Sequence, residues 1–249
     1  MTALAISDRE EAIRRYTQRF QKYGYSPRTL GWDKGKQDVR FEVLTSGFDC
    51  CNKSILDIGC GFGDLNRSLR GKYGDAYRYL GVDMVPDLIA EAKRRYAAPH
   101  IQFVMGEFLD AGFAESVDVV VGSGIFNHGL QKTDSYRYIG SVLAKAFALC
   151  REGMAFDFLS DRVDYQLPHT FHARPERVMT IGYALSRNVL LRNDYMPFEF
   201  CLVVYKDDTF EKRDTLFSRY KRMNRGGNVW HAVPDSPTLV PDGRGQGGR

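Results

Sequence analysis

The sequence predicts an α/β protein built on a doubly wound, mostly parallel sheet. Three observations carry this. Apolar runs of strand length alternate with helical patterns along most of the chain. One run leads straight into a glycine-rich turn, Ser54-Ile55-Leu56-Asp57-Ile58-Gly59-Cys60-Gly61-Phe62-Gly63-Asp64, and then a helical pattern. The next run, Tyr79-Leu80-Gly81-Val82-Asp83, ends in an acid 20 residues beyond Gly63. An acid at that offset in a nucleotide-binding unit accepts hydrogen bonds from ribose hydroxyls.

The elements follow in order. Ser7 is placed to cap a helix reaching about Tyr23, and a second helix from roughly Gln37 to Ser46 precedes the first strand. The connection Tyr23-Gly24-Tyr25-Ser26-Pro27-Arg28-Thr29-Leu30-Gly31-Trp32 is rich in glycine and aromatic residues, a composition suited to a flap over a ligand. Core helices are expected over Asp64–Lys72, Pro86–Tyr96 and Asp134–Cys150; Pro86 suits a first helical turn, where its missing amide costs nothing. Met154–Leu159 reads as a strand, and Arg174-Pro175-Glu176 opens a helix ending near Ser186. Val189–Leu191 and Phe200–Tyr205 read as the arms of a hairpin, and residues 226–249 as a flexible tail rich in Gly and Pro. The expected organisation is a single domain over 1–225, with a helical lid (1–50), a ligand-binding half (51–160) and a substrate-side half with the hairpin (161–206).

Composition narrows the function classes. A chain of 249 residues with 43% hydrophobic residues can bury one sizeable core. The formal charge of +4 is modest, and in the most basic stretch, Lys212 to Arg225, Glu211 and Asp214 are interleaved, so a solvated helix face is expected and no nucleic-acid partner. The N-terminal segment has no secretory apolar core and no run reaches membrane-spanning length, which predicts a cytoplasmic protein without a membrane partner. Cys50, Cys51, Cys60, Cys150 and Cys201 form no C-x-x-C pair, so neither zinc nor a disulfide framework is implied.

The glycine spacing discriminates between nucleotides. Dinucleotide sites use G-x-G-x-x-G with the pyrophosphate on a helix N-terminus, whereas Gly59-Gly61-Gly63 is G-x-G-x-G flanked by Asp57 and Asp64. Two carboxylates repel a pyrophosphate. They suit a ligand with a cationic amino-acid head and no phosphate, such as S-adenosylmethionine.

On these residues the sequence resembles the class I S-adenosylmethionine-dependent methyltransferases of the small-molecule type, over residues 52–160 in motif order and more loosely to about 206. The resemblance implies a seven-stranded Rossmann-like sheet with an antiparallel closing strand. It places Asp57, Gly59, Cys60, Gly61 and Gly63 beneath methionine and ribose, Asp83 on the ribose, and Met84 on the adenine. Phe103–Phe108 then matches the third strand and its turn, with Glu107 and Phe108 near the adenine. Val117–Gly124 matches the fourth strand, with Ser123 and Gly124 facing the methionine. Arg40 has two readings, a fork for the methionine carboxylate or an exposed salt bridge.

Acceptor chemistry is expected after the fourth strand, in Gly124-Ile125-Phe126-Asn127-His128-Gly129. The Asp/Asn-Pro-Pro-Tyr/Phe signature of many nucleic-acid and protein amino-group methyltransferases is absent there, which favours a small polar acceptor methylated on oxygen. N- or C-methylation, or a noncatalytic cofactor-binding subunit, are the alternatives. His128 is the candidate general base, or else a packing histidine; Phe126 and Asn127 are candidate substrate contacts. His169 and His172 are expected on a substrate loop rather than on a metal, and Asp194 and Tyr195 near the acceptor.

Overall fold

Ile55 and Leu56 point to opposite faces of one strand, and each enters a different core. The computed structural model describes residues 2–31, 36–209 and 215–224. Within them lie α1 (Ile6–Tyr23), α2 (Gln37–Thr45), β1 (Lys53–Ile58), α3 (Leu65–Tyr73), β2 (Tyr77–Asp83), α4 (Pro86–Tyr96), β3 (Ile101–Met105) and β4 (Val117–Gly122). After these come α5 (Ser135–Leu149), β5 (Cys150–Leu159), α6 (Pro175–Tyr183), β6 (Val189–Arg192), β7 (Glu199–Tyr205) and α7 (Leu216–Asn224).

The seven strands form one sheet in the order β3-β2-β1-β4-β5-β7-β6. Neighbours from β3 through β5 pair in parallel, and β7 runs antiparallel to both β5 and β6. The expected closing hairpin is present, with β7 inserted between β5 and β6. The period-2 pleat sorts the side chains. Ile55, Val119 and Val121 pack with Phe41, Leu44, Leu65, Leu69 and Ile89 from α2, α3 and α4. Leu56, Ile58 and Val120 pack with Val142, Leu143, Ala146 and Val178 from α5 and α6. Strands buried on both faces read as continuous apolar runs, which is why β1 and β4 stand out in the sequence.

The order reverses between β1 and β4, so the crevice outside their C-terminal ends is where a doubly wound sheet accepts a ligand. Over that crevice α1 begins at Ile6 rather than at a Ser7 cap; Ala5 is the N-cap and makes no side-chain cap bond. A tertiary contact does that work: the Ala5 N–H donates to Thr133 Oγ1 at 2.9 Å. Buried Asp8 in the first turn then accepts the N–H groups of Gln131, Lys132 and Thr133. Those bonds outweigh its desolvation and hold the carboxyl below its ordinary range.

Contacts divide the chain into one compact unit over Met1–Thr209 and a second over Phe210–Arg249, so the expected domain end at 225 falls within the second unit. Of the second unit only α7 and Thr215 are described, α7 covering much of the basic stretch; the expected tail 226–249 lies outside the described residues. Cys50, Cys60, Cys150 and Cys201 are buried, Cys51 is exposed, and all are free. Among the described residues no helix is long and apolar enough to cross a membrane.

Candidate functional site

The turn after β1 is built by backbone demand. Gly59 has φ of +65°, and a Cβ there would lie 2.3 Å from Ile125 Cγ2. Both the left-handed conformation and the lack of space favour glycine there. The Gly59 and Cys60 amides donate to the Val82 carbonyl, tying the turn to β2. Asp83 at the end of β2 completes the clamp: Oδ2 accepts Gly61 N–H and Oδ1 accepts Val85 N–H, each at 2.9 Å. With its carboxylate held by these amides, Asp83 lines the crevice, an acceptor suited to a vicinal diol.

A cavity of about 150 Å³ occupies this crevice. Of the expected ligand-side residues, Asp57, Gly59, Cys60, Gly61, Asp83, Met84, Glu107, Phe108, Ser123 and Gly124 line it, and so does His128. Gly63 does not; the space its missing Cβ leaves is taken by Phe103 at 2.6 Å, so its role is packing of turn against β3. Asp57 is buried and accepts the Tyr79 hydroxyl at 2.6 Å. Burial pushes its carboxyl up to about 7, with the charges of Asp83 and Asp157 adding to the rise. Buried Glu107 accepts the Tyr138 hydroxyl and the Asp110 amide, both at 3.1 Å, which fixes its orientation under the crevice. At the end of β4, Ser123 Oγ and the Gly124 amide both donate to Asp157 at 2.6 Å. Asp157 was not foreseen, because its function is to hold β4's end from a neighbouring strand.

Two carboxylate expectations take a different form. Asp64 accepts the Tyr25 and Tyr96 hydroxyls at 2.7 Å and fastens the 23–31 segment to α4 instead of facing the ligand. Arg40 is buried and does not reach the cavity; its guanidinium grips Glu199 with two bonds, Nε donating to Oε2 at 2.8 Å. Arg40 is thus in a salt bridge, but a buried one rather than the exposed one expected, and Gln37 and Phe41 of the same helix line the crevice instead. Burial raises Glu199 to about 7 despite that partner.

Residues from the lid complete the cavity and were not singled out from sequence: Leu4, Ala12 and Tyr16 from the N-terminal segment and α1, and Leu30, whose side chain lies 3.1 Å from where a Gly61 Cβ would be. The flap composition of residues 23–32 was the signal for Leu30, and the amphipathic pattern of α1 the signal for Ala12 and Tyr16.

The acceptor side is dispersed. Phe126 is buried and stacks on Phe158, ring centroids 5.0 Å apart, in the α5 core rather than in the crevice. Asn127 Oδ1 accepts the Leu159 amide at 3.1 Å, stitching the loop to β5. His172 spans the Ser160 carbonyl at 2.7 Å and the Thr170 hydroxyl at 3.0 Å, a loop brace. Asp194 pairs with Arg192 at 3.1 Å on the surface, and Tyr195 packs against the core beside β7; neither lines the cavity. His169 lines a separate, open groove with Arg14, Arg15, Arg19 and Lys22 of α1. No group of three potential metal ligands occurs among the described residues.

His128 stands between the two spaces. Its Nδ1 lies 3.0 Å from Arg15 Nη1. Arginine has only N–H groups to offer, so Nδ1 accepts, and the neutral ring carries its proton on Nε2. Burial and then the Arg15 charge hold the imidazole below its ordinary range. In this state its lone pair is occupied.

Comparisons with known proteins agree with this architecture. Residues 55–153 match a family model described as a methyltransferase domain. The malonyl-[acyl-carrier protein] O-methyltransferase of Acetivibrio thermocellus is 31% identical over 72 residues, 29% of this chain and 25% of that protein. The U6 snRNA methylphosphate capping enzyme Amus of Drosophila melanogaster is 34% identical over 100 residues, 35% of this chain and 32% of that protein. The matches therefore span about a quarter and a third of these curated relatives. Magnesium protoporphyrin IX methyltransferase of Synechocystis PCC 6803, solved with S-adenosylhomocysteine, superposes with a TM-score of 0.59 at 11% identity, covering 80% of this chain and all of that one.

Proposed function

We propose, from the premise that the chain carries a class I S-adenosylmethionine-dependent methyltransferase domain, that it transfers the methyl group of S-adenosylmethionine to oxygen of a small polar molecule. The observation that carries the reading is the Asp83 carboxylate, clamped by two backbone amides over the Gly59–Gly63 turn at the sheet's switch point. Bound S-adenosylmethionine supplies an electrophilic methyl group on a sulfonium; the remaining chemistry is the chain's own.

In this reading Asp83 orients the ribose, and Met84, Leu88 and Phe108 offer apolar surface to the adenine. Asp57 meets the amino group, and the Ser123–Gly124 backbone, held by Asp157, positions the methionine end. Most of the rate comes from holding the acceptor in line in a water-poor crevice roofed by Tyr16 and Leu30. His128 is the polar side chain between crevice and groove, and as general base it takes the acceptor's hydroxyl proton once Arg15 releases Nδ1. The name of the Acetivibrio relative, an O-methyltransferase, supports oxygen as the acceptor atom.

Calorimetric titration with S-adenosylhomocysteine, beside NAD, tests the reading. Micromolar binding of the former alone is expected; binding of neither, or of NAD alone, overturns it. A second test asks whether His128 is the general base. His128→Ala is expected to keep S-adenosylhomocysteine affinity while lowering turnover by about 10²–10⁴-fold. Full turnover between pH 6 and 9 would remove His128 from the mechanism.

A further inference from the structure

We propose that the acceptor carries an anionic group, a carboxylate or a phosphate, that seats in the open groove between α1 and His169, and that by taking Arg15 it frees His128 Nδ1 to receive the acceptor's proton. This rests on the methyltransferase reading and names its substrate class.

The groove is strongly one-signed. Arg14, Arg15, Arg19 and Lys22 line it against a single carboxylate, Glu11, and that carboxylate is spent on Arg14. Among the described residues no carboxylate pairs with Arg15, Arg19 or Lys22. Arg19 instead donates to the Thr29 carbonyl at 2.9 Å and to the Arg28 carbonyl, while Lys22 lies 5.2 Å from the Tyr23 ring centroid. Three cations on successive turns of one helix, with no carboxylate partner among the described residues, repel one another, and a bound anion would relieve this.

Arg15 is the pivotal member. It lines the groove, and its Nη1 is bonded to an imidazole that lines the crevice. A neutral imidazole is a weak partner for a guanidinium, and a carboxylate or phosphate that accepts two parallel N–H bonds is a stronger one. Exchange of the first for the second leaves Nδ1 open and pairs off the positive charge nearest the ring. Substrate binding and activation of the base are thus one event, and a chain without substrate keeps the base blocked. His169, on the groove wall, has its imidazole held down by burial and by Arg15 and Arg19, which records the same positive field.

The groove also limits the size of the anion. Toward the helix start the basic run ends where Arg9 is neutralised by Asp110 at 3.1 Å. From Glu11 to Tyr23 is about 18 Å at 1.5 Å per residue, the reach of a metabolite rather than of a tracking phosphodiester chain. A small organic acid or phosphate ester fits; an RNA is the competing occupant.

The test uses the full chain loaded with S-adenosylhomocysteine, titrated separately with malonate, inorganic phosphate and a single-stranded RNA oligonucleotide, while NMR follows the rings of His128 and His169. The charged and titratable groups acting on His128 are Arg15, Glu11, Asp8 and His169, so the ring reports directly on the exchange at Arg15. Expected is saturable binding of malonate or phosphate that raises the His128 titration midpoint by about half a unit or more. Preference for malonate assigns a carboxylate, and preference for phosphate a phosphoryl group. Arg15→Gln should weaken the anion about tenfold and abolish the ring's response, while Lys22→Gln should weaken the anion and leave the response at saturation intact. An unmoved His128 ring, an unchanged response in Arg15→Gln, or RNA displacing the small anions at lower concentration would each overturn the proposal. Failure of S-adenosylhomocysteine to bind the same sample would instead count against the methyltransferase reading, and the anion result would stand apart from it.

Discussion

The crevice at the ends of β1, β2 and β4 and the groove beneath α1 are built by opposite strategies. In the crevice, the polar contacts that shape the site come from residues close in sequence: Asp83 reaches Gly61 across 22 positions and Val85 across two. At the groove, Arg15 meets His128 across 113 positions, and the helix that carries Arg15 is docked by Asp8 bonding residues 131–133 across more than 120. The first site is dictated by a strand, a turn and the next strand. The second exists only when α1 is laid across the sheet. A site of the first kind is fixed by backbone geometry and tolerates little change, whereas one of the second kind is a set of side chains brought together by docking.

The largest expected effect tests whether Arg40 belongs to scaffold or site. Its ion pair with Glu199 is buried on both sides. Arg40→Ala leaves that carboxylate without its partner, and a loss of about 3–5 kcal/mol in unfolding free energy is expected by denaturant titration. S-adenosylhomocysteine affinity of the folded fraction should stay within about twofold, because Arg40 does not line the cavity. A stable variant with weakened affinity would move Arg40 into the crevice.

Asp83 is the converse case, and comes next in size. Asp83→Ala removes a charge-assisted acceptor and is expected to weaken S-adenosylhomocysteine by about 1.5–3 kcal/mol in calorimetry. His128→Ala should leave the same titration unchanged. Equal losses in both variants would erase the distinction between the two regions.

The same distinction explains what the sequence made legible. The glycine turn and Asp83 were readable because each sits at the terminus of an apolar run, and Glu107 and the β4 end through the family resemblance, which places all of them on the shared edge of the parallel strands' C-terminal ends. The hairpin was readable from its two strand-like arms. Beyond these, residue type misled where tertiary packing decides use. Phe126 has the character of a cation-facing ring and is instead stacked in the core. Asn127 and His172 have ligand-like side chains that are consumed by loop backbone. Asp64 follows the turn as a ligand would, yet two tyrosine hydroxyls claim it. Asp157 and Tyr16 gave little local signal, since Asp157 lies within the largely apolar stretch Met154–Leu159 of its strand and Tyr16 is one of three aromatic residues on an amphipathic helix. Arg15 could be seen as a basic residue on α1, but only the fold puts His128 beside it.

The smallest expected effect concerns Asp57, and it sharpens the comparison because it asks whether the crevice is electrostatically complete before its ligand arrives. Burial lifts the Asp57 carboxyl to about 7, well above the ordinary 3.8, so near neutrality it is protonated about half the time. A cationic amino group placed beside it favours the ionised form, and its pKa therefore falls in the complex. The complex then holds fewer protons than the free chain, and by linkage the affinity rises with pH until the free carboxyl has ionised, at about pH 7. The slope cannot exceed one decade per pH unit for one proton, and above about pH 8 the ligand's own ammonium begins to deprotonate and the curve turns down. Calorimetry of S-adenosylhomocysteine from pH 5.5 to 9 should show this rise, with a proton released to buffer on binding. Asp57→Asn keeps an acceptor for the Tyr79 hydroxyl while removing the titration, so its curve should be flat below pH 7. A wild-type curve equally flat would mean that the amino group is met by backbone alone, and that the burial of Asp57 serves the turn and not the ligand.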